Sequence, residues 1–136
     1  MSEYYTPSIE EFHVGFEFEK LEGLEWFSHN IPPHYRVFSL GDELTNYRVK
    51  YLDKEDIESL GFTYNSKSID LWFYKEGNFD LGSWTAYKII LQYGLHDNRL
   101  RMYADDPGNG DYVLFVGIIK NKSELKVLMK QIGIYE

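Results

Sequence analysis

The stretch "IDLWFYKEGNFDLGSWTAYKIILQYGLHDNRLRMYADDPGNGDYVLFVGIIK", residues 69–120, decides the fold. Four segments of it have strand composition: 69–76, 83–93, 99–103 and 112–120. Side chains of alternating character mark strands with two unlike faces. The links "GNFDLG", "GLHDN" and "DDPGNGD" are short and built from turn formers. Links of this length join antiparallel neighbours, because a parallel crossover needs a dozen residues or more. Residues 69–120 therefore read as an antiparallel meander. Its last strand carries Leu114, Val116 and Ile118 on one face and Val113, Phe115 and Ile119 on the other, so it is expected to be covered on both sides.

Just upstream lies "YRVKYLDKEDIESLGF", residues 47–62. Tyr47, Val49 and Tyr51 alternate with Arg48 and Lys50, which is a strand. Asp53 is placed to cap a short helix through its carboxylate. Glu55 and Asp56 suit the positive end of the helix dipole, and Gly61 suits a left-handed terminator. Downstream, "NKSELKVLMKQIGI" (121–134) puts Leu125, Leu128, Met129 and Ile132 at i, i+3, i+4 and i+7, one apolar stripe that packs on the sheet. Asn121 and Glu124 have capping-box spacing, and Gly133 ends the helix.

Near the N-terminus, "IEEFHVGFEFEKL" (9–21) alternates Phe12, Val14, Phe16 and Phe18 with His13, Gly15, Glu17 and Glu19. It reads as a strand with one buried face. Residues 29–46 are irregular; Pro32-Pro33 forbids a helix there, and a short strand at 35–38 is the only regular element considered. The expected architecture is α+β: a twisted, mostly antiparallel sheet of six to seven strands with two short helices, a curl towards a barrel being left open. The 136 residues are one domain's worth, 1–136.

Composition narrows the function classes. The formal charge is −8, which repels phosphate backbones and speaks against nonspecific nucleic-acid binding. There is no cysteine, hence no disulfide scaffold or thiolate metal site, which fits an intracellular protein. No apolar run approaches the roughly 20 residues of a membrane helix, and the N-terminus lacks the pattern of a signal peptide. No membrane association is expected.

Three segments, "YTPSIEEFHVGFEFE" (5–19), "YRVKYLDKEDIESLGF" and "GIIKNKSELKVLMKQIGI" (117–134), resemble a family of small uncharacterised proteins encoded by gut bacteria and their phages. The resemblance implies a cytoplasmic setting, in a bacterial or phage-infected cell. It brings no site residues with it.

The candidate chemistry therefore comes from the residues alone. Four histidines (His13, His29, His34, His96) lack metal-ligand spacing, so neither a metal nor a cofactor is expected. "DDPGNGD" lacks the length and closing Glu of a calcium loop and reads as a hairpin loop. Glu17 and Glu19 with His13 form a candidate acid–base set for a hydrolase. The alternative is that these glutamates pair with cations on a neighbouring strand.

Laying the strands side by side gives the most specific expectation. If Tyr47, Val49, Tyr51, Ile69, Leu71, Phe73, Tyr87, Ile89, Leu91, Leu100 and Met102 face the helices, the opposite face carries Arg48, Lys50, Trp72, Tyr74, Trp84, Lys88, Arg99, Arg101 and Tyr103. That face is aromatic and basic in an acidic protein. Aromatic rings stack on bases and Arg pairs with phosphate, so it suits a small anionic ligand such as a nucleotide. The leading expectation is a non-enzymatic binding protein, sequestering such a ligand in the phage–host setting that the resemblance implies. The alternatives are a protein-binding adaptor or inhibitor, and the hydrolase. The bland account places Trp72 and Trp84 in a second small core under the Pro-rich segment.

Overall fold

The structure is a computed structural model that describes residues 3–8, 11–12, 16–31, 44–81, 84–106 and 110–134. The chain divides into two compact units, residues 1–51 with 121–123, and residues 52–120 with 124–136. The architecture is α+β, with two antiparallel sheets of four and five strands rather than one sheet of six or seven, and neither sheet closes into a barrel. The expected strand at 35–38, together with His13, Val14, Gly15 and the Pro32-Pro33 pair, lies outside the described residues.

The first unit holds β1 (Tyr4–Tyr5), β2 (Glu17–Glu22), β3 (Glu25–Asn30) and β4 (Tyr47–Lys50), in the order β1-β4-β2-β3. β2 and β3 are a hairpin the sequence analysis missed. Its two-residue loop is Gly23-Leu24, between the paired Glu22 and Glu25. Gly23 has φ 67°, as the first central residue of a tight hairpin turn requires. The N-terminal phenylalanines do gather on one side. Phe16 is fully buried with Val49 and Ile31, and the Phe12 ring meets those of Phe16, Phe18 and Tyr47 at 5.1, 5.2 and 5.5 Å, each edge-on. The segment 121–123 completes this unit. Ser123 Oγ accepts the Glu17 N–H at 2.9 Å, and Asn121 Nδ2 donates to the Tyr5 hydroxyl at 2.7 Å.

The second unit opens with α1 (Lys54–Ser59), followed by β5 (Thr63–Lys67), β6 (Leu71–Asp80), β7 (Thr85–Tyr93), β8 (Arg99–Asp106), β9 (Gly110–Ile118) and α2 (Lys122–Ile132). The five strands pair in sequence order, β5-β6-β7-β8-β9, so the expected meander exists with one strand added in front. Leu71, Tyr93 and Leu100 form one row across β6–β8, and Phe73, Leu91 and Met102 the next. All six are buried, with Ile57 of α1, its C-cap Leu60, and Leu125, Leu128 and Met129 of α2 in the same cluster. Ile132 is partly buried against it. Asp53 caps α1 as expected, its Oδ1 accepting the Asp56 N–H at 2.9 Å. Gly61 and Gly133 both follow their helices with φ 94°. At Gly133 the Ile134 N–H returns to the Met129 carbonyl at 2.8 Å, the bond pattern of a Schellman terminator. Glu124 accepts the N–H of Lys120, one residue earlier than capping-box spacing anticipates.

Three packing expectations need correction. Ile69 precedes β6 and is 86% exposed, so it takes no part in the core face. Tyr87 is 64% exposed, because the β6–β7 register shifts between Glu76 and Phe79 and gives the buried position to Ala86. β9 is an edge strand, and Val113, Val116 and Ile118 are exposed rather than covered. The "GNFDLG" link is also shorter than read, since β6 runs on to Asp80.

Leu125 is fully buried, so Leu125→Ala is expected to cost about 2–5 kcal/mol in denaturant unfolding. Asp53→Ala should cost about 1 kcal/mol. A loss below half of either figure would show that the helix concerned is not held as described.

Candidate functional site

The outer face of the five-stranded sheet is built by the same alternation that fills its core. Between core rows lies the row Trp72, Gln92, Arg101, Val116, and beside it the row Tyr74, Ile90, Tyr103, Val113. Lys88 sits opposite Glu76, with its Nζ 5.2 Å from the centre of the Tyr74 ring. At the β7–β8 turn the Gly94 N–H donates to the Arg99 carbonyl at 2.9 Å, which places Arg99 beside Gly94 at the strand end.

Polar side chains connect across this face. Gln92 Nε2 donates to Asp70 Oδ2 at 2.5 Å, and the Tyr103 hydroxyl donates to Gln92 Oε1 at 3.4 Å. Asp97 Oδ1 accepts the Arg99 backbone N–H at 3.0 Å. A hollow of about 200 Å³ opens between Asp70, Gln92, Asp97, Arg99 and Arg101. Arg99 and Arg101 are exposed, and among the described residues neither guanidinium makes an ion pair.

Of the eight residues expected to share a ligand face, five lie on strands of this sheet: Trp72, Tyr74, Lys88, Arg99 and Arg101. Trp84 stands just ahead of β7, partly buried against the main core, with its ring edge-on to Tyr112 at 5.8 Å. It therefore does not pair with Trp72 in a second core. Arg48 and Lys50 belong to the other sheet, so the premise that all eight share one sheet is incorrect. Local chemistry does not assign the strand at 47–50 to a separate sheet, because β4 pairs with β1 and β2, not with its neighbour in the chain after α1.

Arg48 is already occupied. Its Nε and Nη2 donate to the two oxygens of Glu19 at 3.1 and 3.2 Å, a bidentate pair with both partners mostly shielded. The guanidinium carbon lies 3.8 Å from the centre of the Tyr4 ring and 4.3 Å from that of Trp26. One side chain thus touches β1, β2 and β3 from β4. The cross-strand alternative for Glu19 is what the structure displays.

A second, larger hollow of about 680 Å³ lies in the first unit, lined by Tyr4, Glu17, Glu19, Ser28, Asn30 and Lys50 among others. Glu17 and Glu19 both border it, but the oxygens of Glu19 are engaged by Arg48, and His13 lies outside the described residues. Among the described residues no group of three or more His, Asp or Glu side chains is placed to hold a metal ion, and no helix is long and apolar enough to cross a membrane.

Asp70, Gln92 and Asp97 were not anticipated as site residues. Gln92 was legible, since it shares the parity of Lys88 on β7. Asp70 and Asp97 sit in turns, where alternation says nothing about direction. Comparison of the chain with family models, curated proteins and solved structures yields no match.

Arg48→Ala is expected to lower stability by about 2 kcal/mol, with Arg48→Lys recovering little of it because an ammonium lacks the planar fork. Chemical denaturation of both variants checks this; wild-type stability in Arg48→Ala would refute the clamp.

Proposed function

We propose that the protein is a non-enzymatic binding protein that captures a small anionic ligand on the outer face of the five-stranded sheet. The observation that carries this reading is the pair of exposed arginines, Arg99 and Arg101, without an acidic partner among the described residues of a chain with net charge −8. Unpaired cations in an acidic protein concentrate anions locally. Trp72 lies two strand spacings from Arg101, roughly 10 Å. A ligand with a ring on Trp72 and its anionic group on Arg101 matches that separation, and a nucleotide is one such compound. The ligand would be a nucleotide signal sequestered during phage–host conflict, a setting that rests on the resemblance to proteins of gut bacteria and their phages. A protein-binding role is the second reading, supported by Val113, Val116 and Ile118, which extend the same face as exposed apolar surface.

Titration with nucleotides and small carboxylates, followed by calorimetry and tryptophan emission, tests the first reading. Binding is expected to weaken at least tenfold in Arg101→Ala and to fall with added salt. Trp72→Phe should remove most of the emission change. If no anion in the panel binds, or binding is unaltered in Arg101→Ala, the reading is wrong.

A further inference from the structure

The hollow beside Arg99 and Arg101 has an acidic wall as well as a basic one. Next to two of its lining residues, Asp70 and Asp97, lies Gly94, which is buried. The position that a Cβ would take on Gly94 is contacted by Asp97 Oδ1 and lies 3.3 Å from Asp70 Oδ1. Two carboxylates therefore converge over one backbone position. Each is oriented by a hydrogen bond, Asp70 by the Gln92 amide and Asp97 by the Arg99 N–H. Neither donor is a cation, and like charges this close repel. Arg99 and Arg101 border the same hollow, yet neither forms an ion pair with Asp70 or Asp97. Opposite charges thus line one small cavity without neutralising each other directly.

We propose that this hollow binds a compact zwitterion of the α-amino acid type, with its ammonium on Asp70 and Asp97 and its carboxylate on Arg99 and Arg101. The proposal rests on the reading of this face as a binding surface for a ligand with an anionic group, and adds a cationic group to that ligand. An ammonium offers three donors and no acceptor, which suits two converging carboxylates; a guanidinium fork suits a carboxylate. Size points the same way. About 200 Å³ corresponds to roughly seven waters, at about 30 Å³ each. That accommodates an amino-acid head group, whereas a whole nucleotide would stand mostly outside it. Gln92, between the two walls, can meet either end of the ligand through its amide. A side chain longer than the hollow would run out over Trp72, its neighbour in the β6–β7 register.

The test uses the full chain and the free α-amino acids as probes, screened by thermal shift and measured by calorimetry. Any that bind are then compared with their N-acetyl and carboxamide derivatives. The expectation is that at least one amino acid binds and that each derivative binds at least tenfold more weakly. Asp70→Asn, nearly isosteric and still able to accept from Gln92, should also weaken binding at least tenfold, as should Arg101→Ala. If N-acetylation leaves affinity unchanged, or no amino acid binds while other anions bind through Arg101, the zwitterion proposal is overturned and the anion-binding reading stands. If neither amino acids nor other anions bind, both fall. The derivatives require no variant, so a misfolded mutant would leave the comparison intact.

Discussion

Side chains of consecutive residues in a strand point to opposite faces, and in a sheet whose strands pair in sequence order this one rule assigns nearly every residue of the second unit. Phe73, Leu91 and Met102 are buried, so Trp72, Gln92 and Arg101 must stand on the other side. The candidate ligand face is thus a by-product of core formation. The face follows the register, which shifts between Met102 and Tyr103 on the β8–β9 side and between Glu76 and Phe79 on the β6–β7 side. Beyond the Glu76–Phe79 shift Ala86 is buried and Tyr87 is exposed.

The first unit is organised differently. Among the described residues its apolar cluster joins Phe16, Ile31 and Val49, with Tyr5, Phe12 and Phe18 packed against them. Beside it stands Arg48, whose guanidinium is held by Glu19 and lies against Tyr4 and Trp26. A planar cation can satisfy two acceptors at its edge and two rings at its faces at once, which no apolar side chain of that size could do. The same residue type therefore has two fates here. Arg48 is half-buried and paired with Glu19, while Arg101 is exposed and has no ion-pair partner among the described residues.

What was legible in the sequence followed from local chemistry. The meander, the Asp53 cap, the apolar stripe of α2 and the glycine terminators all depend on residues close together in the chain, and all are present. Part of what was not legible depends on long-range pairing. Strand 47–50 looks like part of the meander by composition, yet it pairs with Tyr4–Tyr5 and Glu17–Glu22. The β2–β3 hairpin was readable from Gly23-Leu24 but obscured by β3 itself, where Ser28, His29 and Asn30 are poor strand formers. β9 was misjudged because an apolar strand was equated with a covered one. Within the candidate site, the strand residues could be placed by parity, whereas the two turn aspartates needed the structure.

The strand orders of the two sheets also imply an order of assembly. Every pairing in the five-stranded sheet joins strands adjacent in the chain, so loop closure costs little at each step. The four-stranded sheet needs β1 and β2 to find β4 across the intervening chain, and then Glu17 and Tyr5 to meet Ser123 and Asn121, 106 and 116 residues away. Contacts of that separation form slowly. During synthesis they are out of reach until residues 121–123 have been made. A nascent chain stalled before Asn121 would lack both the partners of Glu17 and Tyr5 and the α2 side chains Leu125, Leu128 and Met129 that share the meander's core.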